Sequence, residues 1–250
     1  MSLSVRGLAA RQLADYRART PGTFFAEEDQ PRLTLDDAYA VQAEVAGLRG
    51  AEGESVAGYK VGATGPGTRK QFGMDGPVRG FLYDTELHPS GATLSHASYA
   101  NLAIEGELAV RLGDDAEIVR IFPVIELHNY VFRSGPPTLQ ELVANNGLQA
   151  GVVLPDTDGT GWSGEESLDG VLRVEINGRT VDEGPMSGVP GGPAGSVGWL
   201  RRHLGAYGLT LRPRQLVLTG TPLGLYPVRP DDIVRVSAER LGTVEATVAP

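Results

Sequence analysis

The run Ala103-Ile104-Glu105-Gly106-Glu107-Leu108-Ala109-Val110 constrains this chain more than any other stretch, because it sets two carboxylates one residue apart inside an apolar, strand-forming segment. Alternate side chains of a strand leave on one face, so Glu105 and Glu107 point the same way with only Gly106 between them. Two like charges that close need a cation. The downstream run Ile121-Phe122-Pro123-Val124-Ile125 ends in Glu126, and a third acid delivered by a neighbouring strand completes a hard, all-oxygen site of the kind Mg2+ or Mn2+ prefers. A strand with one solvated face also shows an acid-x-acid pattern, so the pair by itself leaves both readings open.

Around this strand the sequence separates into two textures. Residues 5–19 space Leu8, Leu13 and Tyr16 as an amphipathic helix ending before Pro21-Gly22. A second helix starts at the cap Thr34, carries Asp36 and Asp37 at its positive end and an Ala38, Val41, Val45, Leu48 stripe, and is closed by Gly50. Residues 1–52 are thus expected to be a helical N-terminal region and 53–250 a β-rich unit. Short strands are predicted at 56–63, 80–83, 104–112, 118–127 and 150–154, with a short helix at 138–144 after the break Ser134-Gly135-Pro136-Pro137. A polar loop follows over 155–166, then a hairpin over 172–181 turning at Asn177-Gly178, the preferred type I′ pair. The helix at 197–207 places Trp199, Leu200 and Leu204 inward and stops at Gly208; strands at 215–219, 233–238 and 242–248 complete the chain, with Thr219-Gly220-Thr221-Pro222 as a tight turn. The 34 glycines and 17 prolines suit such a turn-rich fold better than a helix bundle.

Composition removes several function classes. The net charge of -9, with both signs interspersed, provides no basic stripe for nucleic acid and no patch for anionic lipid. The absence of cysteine excludes disulfides and thiolate chemistry. No apolar run reaches membrane-span length, and the expectation is a soluble cytoplasmic protein. No G-x-S-x-G elbow occurs, and Gly191-Gly192-Pro193-Ala194-Gly195 lacks the Walker lysine and the dinucleotide fingerprint, so it reads as a flexible connection. His88, His96, His128 and His203 show no H-x-x-x-H spacing and read as surface or satisfied histidines. Lys60 stands out within Val56-Ala57-Gly58-Tyr59-Lys60-Val61-Gly62, a charge in a β stretch flanked by glycines. It is either a snorkelling surface lysine or an ammonium that holds a substrate carboxylate or shuttles a proton beside the acids.

Taken in order, Gly58-Tyr59-Lys60-Val61-Gly62-Ala63-Thr64, Glu105-x-Glu107, Pro123-x-Ile125-Glu126, Ala144-Asn145-Asn146, Trp199-Leu200 and Leu218-Thr219-Gly220 resemble the 2-keto-4-pentenoate hydratase and 4-oxalocrotonate decarboxylase family of the fumarylacetoacetate hydrolase superfamily. The likeness covers nearly the whole chain, including Leu33-Thr34 to Gln42. It implies an α+β fold, a mixed, strongly twisted β-roll with a helical N-terminal region, assembled as a homo-oligomer. It implies Mg2+ (or Mn2+) held by Glu105, Glu107 and Glu126, Lys60 as the catalytic residue, and substrate-binding positions at Tyr59, Val78, Asn146, Leu148, Thr219 and Gly220. The implied activity is that of a metal-dependent lyase on a small-molecule 2-oxo acid or 2-hydroxydienoate, through a metal-stabilised enolate.

The departures from the family pattern bear on subtype. Where hydratases read P-D-F-G or P-D-Y-G, the aspartate position here is Val78; decarboxylases often carry an apolar residue there. The family's A-D-N-A-S stretch is Ala144-Asn145-Asn146-Gly147-Leu148, which loses an acid and a hydroxyl and implies a drier pocket. The spacing from Glu107 to Glu126 is shorter than the family's, and no histidine precedes His88 to form the lid pair of the C–C hydrolases. Decarboxylation or tautomerisation is therefore expected over hydration. The rival readings are an isomerase or cyclase acting on a larger β-dicarbonyl, and a non-catalytic relative that keeps the fold.

Overall fold

A computed structural model of the chain describes residues 4–19, 33–65, 68–70, 73–131, 137–157, 159–162 and 168–250. Helix α1 (Val5–Ala18) is capped by Ser4, whose side chain accepts the Gly7 N–H. Helix α2 (Leu35–Ala51) begins with a reciprocal capping box between Thr34 and Asp37. Helix α1 stops at Arg19 in a left-handed conformation, and Pro21-Gly22 lies outside the described residues. Gly50 does not close α2, which runs on to Ala51; one glycine weakens a helix by about 1 kcal/mol without ending it.

The strands are β1 (Val56–Gly62), β2 (Val78–Tyr83), β3 (Leu87–Pro89), β4 (Ala92–Ser95), β5 (Ala103–Leu112), β6 (Ile118–His128), β7 (Gln149–Leu154), β8 (Thr160–Gly161), β9 (Val171–Ile176), β10 (Arg179–Pro185), β11 (Leu216–Leu218), β12 (Tyr226–Pro227), β13 (Ile233–Ala238) and β14 (Gly242–Ala249). Helices α3 (Leu139–Ala144) and α4 (Gly192–Ala206) interrupt them. Four strands escape sequence reading: β3, β4, β8 and β12 are two to four residues long, too short for a period to register. Helix α4 starts five residues before the expected 197, because Gly191 caps it in the left-handed region and Pro193 suits its first turn. Gly192-Pro193-Ala194-Gly195 is accordingly helix, not a flexible connection.

One sheet runs β2-β1-β11-β5-β6-β7-β3, with β12 added to β5 and β8 to β6; the other runs β10-β9-β13-β14-β4. Both are mixed, since β1–β11, β3–β7 and β4–β14 pair in parallel and the other ladders are antiparallel. The result is α+β, as the resemblance implied.

Period-two alternation explains how the sheets stack. Ile104, Leu108, Val110 and Leu112 of β5 and Ile121, Ile125 and Leu127 of β6 pack with Val174, Val236 and Val244 of the second sheet. Gly106 lies on this face, and a Cβ there would come within 2.6 Å of Val174 Cγ2, so glycine lets the sheets close. On the opposite face Ala109, Phe122, Val124, Leu216 and Leu218 form a smaller apolar cluster. Toward Ala103 and His128 that face turns polar, at Glu105, Glu107, Glu126 and His128. A third cluster joins Leu8, Leu13, Val41 and Val45 of α1 and α2 to Leu142 of α3 and Val78 of β2. The helical region thereby backs one wall of the polar face.

Candidate metal centre and active site

The β5–β6 register decides which acids meet. Glu105 lies directly opposite Glu126, and Glu107 opposite Val124. Glu126 therefore faces Glu105 directly and Glu107 on the diagonal, all three on the face away from the second sheet, as alternation required. Glu107 and Glu126 are buried, while the Glu105 side chain keeps 21% exposure and borders two adjoining cavities of about 260 and 340 Å3. Glu107, Thr64, Gly220 and Thr221 line the first; Lys60, His128, Val78, Leu142 and Leu148 line the second.

Lys60 reaches this cluster from β1 along a path walled by missing side chains. A Cβ on Gly62 would lie 2.9 Å from Lys60 Nζ, and one on Gly147 would lie 2.8 Å from its Cε. The ammonium ends 3.1 Å from Glu126 Oε1 and is 97% buried with its stem. Burial alone would lower its pKa, but Glu126, Glu105 and Glu107 together raise it, so Lys60 is a buried cation at neutral pH. Burial pushes Glu107 well above the ordinary carboxylate range, and the charges of Glu126 and Glu105 push it further. Burial also opposes the charge on Glu126, yet Lys60 and His128 beside it bring it down to about 2.

His128 is the member of this cluster that sequence reading missed. It is buried, with Nε2 3.2 Å from Glu105 Oε2 and 3.4 Å from Glu126 Oε2. The signal was present: His128 follows Glu126 by two, the same spacing that puts Glu105 and Glu107 on one face. Helical H-x-x-x-H spacing was the wrong pattern to seek on a strand. The remaining histidines lie apart from the acids, with His203 stacked on Trp199 at 4.7 Å.

The other expected positions divide. Val78 and Leu148 line the larger cavity and Gly220 the smaller. Gly220 donates its N–H to Glu107 Oε2 at 3.2 Å, from a φ of 88° where a side chain would strike Thr64. Thr219 is buried behind it, donating its hydroxyl to the Leu108 carbonyl at 2.7 Å. Asn146 does not face the cavities either. Its Oδ1 accepts the Phe81 N–H at 2.7 Å and its Nδ2 donates to the Phe81 carbonyl at 2.8 Å, which clamps the Gly147 turn against Lys60. Tyr59 alternates to the far side of β1 and packs on Phe81, ring centroids 5.3 Å apart, so it cannot touch a ligand beside Lys60. Ala63, Asn146 and Leu148 all hold positive φ at 55°, 58° and 69°, a concentration of left-handed backbone at the cavity rim.

The donor set fits a divalent cation. Among the described residues Glu126 Oε1 is paired only with the Lys60 ammonium, Glu126 Oε2 is paired only with His128, and His128 Nδ1 is buried without a hydrogen-bond partner, so the cluster is held by charge alone. Single donor atoms of Glu105, Glu126 and His128 lie within 4.8 Å of one another.

Comparison with known proteins finds relatives of the same fold. Residues 145–249 match the family described as fumarylacetoacetate (FAA) hydrolase C-terminal. A 2-hydroxyhexa-2,4-dienoate hydratase of Comamonas testosteroni is 27% identical over 86% of this chain and 87% of its own. The 4-oxalocrotonate decarboxylase of Pseudomonas putida G7, solved with magnesium and adipate, superposes with a TM-score of 0.88 at 26% identity over 99% of both chains. The same decarboxylase has been solved with calcium and acetate, with equal similarity to this chain. Residues 145–249 thus match the fumarylacetoacetate hydrolase C-terminal model, and over most of its length the chain is similar in sequence and fold to 2-keto-4-pentenoate hydratases and 4-oxalocrotonate decarboxylases.

Proposed function

We propose that this protein is a divalent-metal-dependent lyase acting on a small 2-oxo acid or 2-hydroxydienoate, with decarboxylation or tautomerisation favoured over hydration. The observation that carries it is a buried ammonium, Lys60 Nζ, set 3.1 Å from Glu126 at a cavity that also exposes Glu105. Glu105, Glu107 and Glu126 are the residues that would hold Mg2+ or Mn2+. Bound there, the ion supplies Lewis-acid stabilisation of negative charge developing at the substrate's 2-oxygen.

The chain's own residues account for the rest. Three carboxylates repel an anionic substrate, and Lys60 offsets the charge of its carboxylate at the cavity wall. Lys60 keeps its proton at Nζ because the acids around it favour the charged form, so it acts there as a fixed positive charge. Val78, Leu142 and Leu148 line one side of the cavity with hydrocarbon, where Val78 and Leu148 stand at positions that carry an acid and a hydroxyl in the family's pattern, while Thr68, Glu105 and His128 are polar groups of the same cavity. That lining is why loss of carbon dioxide is preferred to hydration, and it also suits a longer, apolar β-dicarbonyl as the second reading. The resemblance further supports a homo-oligomeric, cytoplasmic enzyme; light scattering of the purified protein measures the former.

Purified protein with Mg2+ or Mn2+ should be offered simple 2-hydroxydienoates and 4-oxalocrotonate, following ultraviolet absorbance and carbon dioxide release. Carbon dioxide release that depends on metal and is abolished in Glu107→Ala supports the proposal. Rapid water addition would overturn the subtype, and full activity in Glu107→Ala would overturn the metal's role.

A further inference from the structure

His128 has a position that the proposed reaction does not use. It sits opposite Ala103, whose small side chain leaves the imidazole room to lie over the β5–β6 ladder beside Glu105 and Glu126. A histidine buried for structural reasons is expected to hydrogen-bond to a carbonyl or hydroxyl through at least one nitrogen. Here, among the described residues, Nδ1 has no partner, and Nε2 meets no carbonyl or hydroxyl, only the carboxylates of Glu105 and Glu126.

The distances suit a shared ion. Ligands at about 2.1 Å from a six-coordinate ion are about 3 Å apart when adjacent and about 4 Å apart when opposite. The Nε2 separations of 3.2 and 3.4 Å from Glu105 and Glu126 match adjacent positions. We infer that His128 Nε2 is a nitrogen ligand of the metal centre, and that it biases the centre toward Mn2+ and other first-row transition ions over Mg2+. This rests on the metal reading given above and deepens it. Mg2+ favours oxygen donors and retains water, whereas imidazole binds first-row ions with an affinity that rises along the series.

The test uses full-length protein loaded with Mn2+ and examined by pulsed electron paramagnetic resonance. Modulation from a directly bound imidazole nitrogen is expected, and it should change to the 15N pattern when histidine alone is 15N-labelled. Mn2+ should bind at least about tenfold more tightly than Mg2+ in competition, and His128→Val should lose the nitrogen signal and most of that preference. The labelling arm needs no variant, so it decides the matter even if His128→Val fails to fold. Bound Mn2+ without nitrogen modulation, or an unchanged preference in His128→Val, overturns the inference. Glu126→Gln separates the two claims. If it loses Mn2+ while the unaltered protein shows no nitrogen signal, only the role of His128 falls; if it binds Mn2+ undiminished, the metal reading itself falls.

Discussion

Lys60 depends on the side chains its neighbours lack. Gly62, Gly80 and Gly147 each leave a space that a Cβ would contest with the lysine stem or, at Gly80, with the Asn146 carbonyl. Gly147→Ala would place a methyl 2.8 Å from Lys60 Cε at a φ of 65°, costing about 1–2 kcal/mol in backbone strain alone. Displacing the ammonium by about 1 Å is expected to lower kcat/KM about 100-fold with the fold retained, read by steady-state kinetics beside circular dichroism. Lys60→Met asks a different question. It removes one of the two cations beside the buried Glu126, a loss of up to about 3–5 kcal/mol in unfolding free energy, which added Mn2+ should largely restore without restoring activity. Denaturant melts with and without metal check this, and recovery of turnover would sink the assignment of Lys60. Lys60 was readable from the sequence as a charge inside a glycine-flanked β stretch, whereas Tyr59 was named only by its place in the motif, and alternation turns it into the core.

Among elements, the β5–β6 pair bears two demands at once, acids on one face and sheet packing on the other. Gly106 reconciles them, and Gly106→Ala should cost about 1–3 kcal/mol because Val174 Cγ2 must move. Combining it with Val174→Ala should recover part of that loss, so a double-mutant cycle that proves additive would refute the contact argument. The Asn146 clamp links the turn after α3 to β2, and Asn146→Gly removes both bonds to Phe81 while tolerating the positive φ. A loss of about 1–3 kcal/mol is expected, together with reduced activity, because the Gly147 turn then no longer presses on Lys60. The Thr34 cap and the Asn177-Gly178 turn were legible because they are local chemistry. β12 was not, since Tyr226 and Pro227 become a strand only by meeting Ile104 and Ala103.

Across the whole molecule, α4 docks on α2 through His203, which meets Trp199, Tyr39 and Tyr207 near the Arg79 guanidinium. Burial, and then the Arg79 charge, lower the His203 pKa to about 4. The neutral ring is favoured in the fold, so its contribution is full above about 6.5 and is lost as pH falls from there toward 4. His203 is only half-buried, which limits the loss to about 1–2 kcal/mol; His203→Phe should flatten the pH dependence of thermal stability over that window. Among the described residues no helix is long and apolar enough to cross a membrane. The sequence by itself determined, through strand alternation, that Glu105 and Glu107 share one face; Lys60 and Glu126 were joined to them by the resemblance. Tertiary structure alone decided the pairing of Glu105 with Glu126, the arrival of Lys60 from a separate ladder and the burial of His128 between two acids. Local periodicity records which face a residue takes, while strand register and the closure of one sheet on another are set by contacts between residues far apart in the chain.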